Sequence, residues 1–74
     1  MNEYEKWADE YLKNADDTME IIRKYREKMR NTKSDKLRLY YDHKILTLYE
    51  MYNDCMYAAG ELRKKASRLK QRGG

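Results

Sequence analysis

Apolar residues recur at alternating steps of three and four along nearly the whole chain, and one polar stretch, Asn31-Thr-Lys-Ser-Asp-Lys36, interrupts them. That feature leaves few folds open. A 3-4 spacing held over several heptads lines up on one stripe of an α-helix, whereas a strand requires a period of two. Proline is absent and the three glycines are Gly60, Gly73 and Gly74. Nothing else therefore divides the runs into shorter elements.

In the first run, Met1, Ala8, Ala15, Ile22 and Met29 alternate with Tyr4, Tyr11, Thr18 and Tyr25, and only Thr18 is out of character. Asn2 suits an N-cap, and Glu5 three residues later resembles a capping box. A first helix is predicted over about residues 2–30 and a loop over about 31–34. Asn, Thr and Ser there compete with helical hydrogen bonding, and Ser34 or Thr32 can cap the helix that follows, with Asp35 in its first turn. The second helix is predicted over about residues 35–72. Its seam alternates Tyr41, Leu48, Cys55, Leu62 and Leu69 with Ile45, Tyr52, Ala59 and Ala66. At 1.5 Å per residue the helices are roughly 43 and 57 Å long. Helices joined by so short a link fold back on each other. The expected fold is all-α: an antiparallel two-helix hairpin forming one domain over residues 1–74.

Charge points to the same orientation. Residues 1–20 carry a net −5, 21–44 a net +6, 45–61 a net −3 and 62–74 a net +6. A hairpin lays the basic C-terminal segment along the acidic N-terminal one. Each surface pair contributes little, so the pattern selects orientation more than it stabilises. Matching the two seams sets Ala8 near Ala59 or Leu62, and Tyr11 near Cys55 or Ala59, to within about a turn. Trp7 is then expected to dock on Ala58-Ala59-Gly60. A glycine in mid-helix costs about 1 kcal/mol relative to alanine, and a flat ring filling the gap would offset that.

One hairpin does not use up the apolar residues. Leu39, Tyr40, Leu46, Tyr49, Met51, Met56 and Tyr57 lie off the second seam, and Trp7, Leu12, Met19 and Ile21 off the first. Leaving several such groups wet forfeits several kcal/mol at ~25 cal/mol per Å². That is comparable with the whole stability of a small domain. The expected solution is a homodimer in which two hairpins form a four-helix bundle.

No catalytic, cofactor or metal site is expected. His43 lies opposite the seam and reads as solvated. Its neighbours Asp42 and Lys44 point in other directions on a helix. Cys55 lies on the seam, where a thiol behaves as a small hydrophobe, and as the single cysteine it excludes an internal disulfide. There is no Cys-x-x-Cys, no histidine pair and no Gly-rich phosphate loop.

The expected function is therefore that of a small non-enzymatic interaction module: an adaptor, inhibitor or regulatory subunit. It would self-associate, and bind a protein of unspecified identity, through Tyr40, Tyr49, Met51, Met56 and Tyr57. Tyrosine anchors and adaptable methionines suit contact surfaces. The alternative is a nucleic-acid-associated regulator. Arg23, Arg26, Arg30, Lys33, Lys36 and Arg38 crowd the hairpin tip without evident internal partners, and Tyr40 and Tyr41 nearby could stack on bases. No apolar run is long enough to span a membrane. The acidic opening residues lack the apolar core of a secretory signal, so a cytoplasmic location is expected.

Overall fold

The computed structural model describes the backbone of residues 2–73 and the side chains of residues 2–71. Met1, expected on the first seam, and Gly74 lie outside them. The chain forms α1 (Glu3–Asn31) and α2 (Asp35–Gly73), which pack against each other as a helical hairpin. The Cα trace measures 59 × 15 × 12 Å.

The ends of the helices follow local chemistry. Asn2 is extended, and its side-chain oxygen accepts the Glu5 N–H at 2.9 Å. Its carbonyl takes the Lys6 N–H at 3.2 Å. Only half of the capping box forms, because the Glu5 carboxylate pairs across the hairpin with Lys70. At the other end Thr32 is extended and its N–H returns to the Lys28 carbonyl at 3.0 Å. Ser34 is the cap of α2: its hydroxyl accepts the Leu37 N–H at 3.2 Å and its carbonyl the Arg38 N–H at 3.0 Å. Thr32 supports the turn instead, its hydroxyl accepting the Ser34 N–H at 3.2 Å.

The core is thin and lies on the two expected seams. Ala8, Ala15, Thr18 and Ile22 are buried on α1, and Ile45, Ala59, Leu62 and Ala66 on α2. Ala8, Ala59 and Leu62 form one cluster, flanked by Tyr4, Tyr11 and Leu12, which is the expected register. Four alanines among eight buried residues bring the backbones close but remove little apolar area from water. Thr18 is tolerated because its hydroxyl donates to the Asn14 carbonyl at 2.8 Å, and no buried side-chain nitrogen or oxygen among the described residues lacks a partner.

Two packing expectations are corrected. Leu69 is 45% exposed: α2 is 39 residues long against 29 for α1, and the Asn2 amide already meets the Ala66 carbonyl. Beyond that level α2 has no helix left to pack on. Nor does Trp7 dock at Gly60. The indole is 51% exposed, and a Cβ at Gly60 would have no atom within 4 Å. Seven residues make nearly two helical turns, so each heptad position keeps to one side of the seam. Trp7 and Gly60 fall on opposite sides.

Candidate functional site

Two cross-helix contacts define one broad face of the hairpin. The Arg26 guanidinium lies 5.2 Å from the centre of the Tyr49 ring and donates to its hydroxyl. The Lys70 ammonium pairs with the Glu5 carboxylate. Heptad steps from these residues put Leu12 and Met19 on the same side of α1, and Met56 on the same side of α2. Leu39 and Leu46 lie just outside Tyr49 and Met56 on that face. The opposite face carries Trp7 and Ile21 from α1, with Leu37, Tyr40 and Met51 from α2. We refer to the Met19 face and the Met51 face.

Both faces are greasy. Ten large apolar side chains among the described residues are 41–72% exposed, and eight of them belong to α2: seven between Leu37 and Tyr57, and Leu69. Tyr40, Met51, Met56 and Tyr57, four of the five residues expected to form a contact surface, are among them. They do not form one patch. Tyr40 and Met51 lie on one face, Met56 on the other, and Tyr57 on the outer ridge of α2. Tyr49 is half-buried and engaged by Arg26. Leu39 and Leu46 are more exposed than Met51 or Met56 and belong with the contact candidates. Their separation of seven residues sets them on one side of α2, the signal in the sequence that they share a face.

The tip is less free than its charge implied. Arg38 donates to the Thr32 carbonyl at 3.1 Å and pairs with Asp35 at 3.3 Å, which ties the turn together. Arg26 is held on Tyr49, Lys28 lies 5.5 Å from the Tyr25 ring centre and Lys44 5.6 Å from that of Tyr40. Arg23, Arg30, Lys33 and Lys36 are exposed. Tyr41 is half-buried and packs on Tyr25 with ring centres 5.8 Å apart, so its face is not open to a base as the sequence suggested. Shallow grooves flank this region, one lined by Met29, Asp35, Arg38, Leu39 and Asp42 and one by Arg26, Met29 and Arg30.

At the base, the Lys70 ammonium beside Glu5 holds that carboxyl below the usual carboxylate range against a weaker opposing effect of burial. His43 is exposed, and Cys55 is half-buried on the seam. No group of three or more His, Cys, Asp or Glu able to hold a metal occurs among the described residues. No described helix is long and apolar enough to cross a membrane. No protein-family model, no curated protein and no solved structure matches this chain.

Proposed function

We propose that the hairpin is a non-catalytic protein-interaction module that self-associates through the apolar surface left outside its seam. One observation carries this reading: the exposed large apolar side chains outnumber the buried residues, among which Ile22 is the largest that is fully enclosed. Such a surface on so small a chain is the mark of a contact site. Tyr40, Met51, Met56 and Tyr57 supply aromatic and adaptable thioether groups, and Tyr49 with Arg26 supplies a preorganised polar centre.

Sedimentation of the full chain tests it. At about 20 μM, well above the micromolar dissociation typical of a modest interface, the expected particle has twice the 9.1 kDa chain mass. Met56→Asp is expected to weaken association, while Lys33→Glu with Lys36→Glu is expected to leave it in place. Persistence of a 9.1 kDa particle would reject self-association. Exposed cations at the tip, Arg23, Arg30, Lys33 and Lys36 among them, support a second reading, contact with nucleic acid. That reading gains if the chain binds a mixed-sequence oligonucleotide, loses it steeply with salt, and loses it again on the two tip reversals.

A further inference from the structure

Along the Met19 face, α1 carries Asp9, Asp16, Arg23 and Arg30 at successive seven-residue steps: two acids, then two bases. The stripe is antisymmetric about a point between Met19 and Glu20. Asp16 and Arg23 are equidistant from it, and so are Asp9 and Arg30. The same face of α2 has its own centre between Thr47 and Leu48. Leu46 and Tyr49 are equidistant from that point, as are Leu39 and Met56.

These two centres lie side by side. Asn2 contacts Ala66, Ala8 clusters with Ala59, and Tyr25 packs on Tyr41. That register sets residues 19–20 of α1 level with residues 47–48 of α2. A single line across both helices therefore passes through both centres, as a two-fold axis between two hairpins would.

Resting on the self-association proposed above, we infer that a second copy of the chain docks on the Met19 face in antiparallel orientation, α1 on α1 and α2 on α2, with the two tips at opposite ends. Rotation about the axis brings Asp16 against Arg23 of the other copy and Asp9 against Arg30. It brings Leu46 against Tyr49, and Leu39 against Met56, so the apolar groups meet between the two helices and the charges form a rim. The +6 segment of each tip then lies over partner segments of −5 and −3. Packing the copies tip to tip would set +6 on +6. The Met51 face is the poorer self-match, because the same operation sets the Lys44 ammonium against Met51. Lys44 is already held over Tyr40 on that face.

Orientation is read directly by a spin label at Lys33→Cys in a Cys55→Ser chain. Both labels then lie roughly thirteen residues from the axis, so a label distance of about 40 Å is expected. A tip-to-tip dimer would give under about 20 Å, which overturns the arrangement while leaving self-association intact. The rim is read by sedimentation. Asp16→Arg and Arg23→Asp are each expected to weaken the dimer on the order of tenfold, since each acts twice across the axis. The chain carrying both is expected to regain wild-type affinity. No rescue would overturn the pairing. Leu46→Asp is expected to dissociate the dimer and Met51→Asp to spare it, and the reverse result would move the interface to the other face. Leu46 is 58% exposed, so the hairpin itself survives the change, checked by its helical circular dichroism. Absence of any dimer in the wild-type chain would defeat the proposed function as well.

Discussion

The two ends of the hairpin solve the same problem with different chemistry. At the base, α1 is acidic and α2 is basic, and the helices meet through alanines with Lys70 reaching Glu5. At the tip both helices are basic, and carboxylates are too few to answer the cations. Tyrosine rings take their place: Arg26 on Tyr49, Lys28 on Tyr25 and Lys44 on Tyr40. The ring face is a weaker acceptor than a carboxylate but brings no charge of its own to desolvate, and an exposed contact of this kind contributes about 0.5–1 kcal/mol. This difference gives three of the eight tyrosines a cation partner. A phenyl ring offers the same face, but it has no hydroxyl to accept the Arg26 N–H.

Substitutions separate the contributions. The largest effect is expected at the seam, where Ile22 is fully buried toward the tip. Ile22→Ala should destabilise by about 2–5 kcal/mol in urea unfolding, enough to unfold much of so small a domain. Gly60→Ala should stabilise by about 1 kcal/mol, because the helix gains a better former and nothing near the new methyl resists it. Loss of stability there would restore a packed ring at Gly60 and contradict the exposed Trp7. At the tip, Tyr49→Leu should cost about 1 kcal/mol and Tyr49→Phe about half of that, since the latter keeps the ring for Arg26.

The smallest effect is expected at the base and is tied to pH. Glu5 is ionised to lower pH in the folded chain than in the unfolded chain because of Lys70. Its contribution is present above the ordinary glutamate range and is lost as pH falls through its depressed folded value. Acid unfolding of Glu5→Gln should therefore be shallower on that limb, with no change at neutral pH beyond loss of a surface pair.

Much of the fold was legible because its signals are local. The 3-4 spacing, the Asn2 cap and the lone polar break set the helix bounds to within a residue or so of Glu3–Asn31 and Asp35–Gly73. The register near Ala8 and Ala59 followed from matching one seam to the other. What escaped depended on which side of the seam a residue takes. Trp7 and Gly60 are close in level but lie on opposite faces. Tyr40, Met51 and Met56 look like one patch in the sequence yet divide between two. Arg26 and Arg38 read as spare charge because a guanidinium's partner across a turn, the Tyr49 ring or the Thr32 carbonyl, leaves no mark in composition or spacing.

The central claim is that the seam folds the hairpin and a second copy shelters the Met19 face that the seam leaves exposed. Its most direct test is the thermal midpoint of the full chain by circular dichroism across a hundredfold range of concentration, from about 1 to about 100 μM. Coupled association should raise the midpoint by several degrees over that range. A midpoint that stays the same at both ends would show a hairpin that folds and remains alone, and would contradict the account.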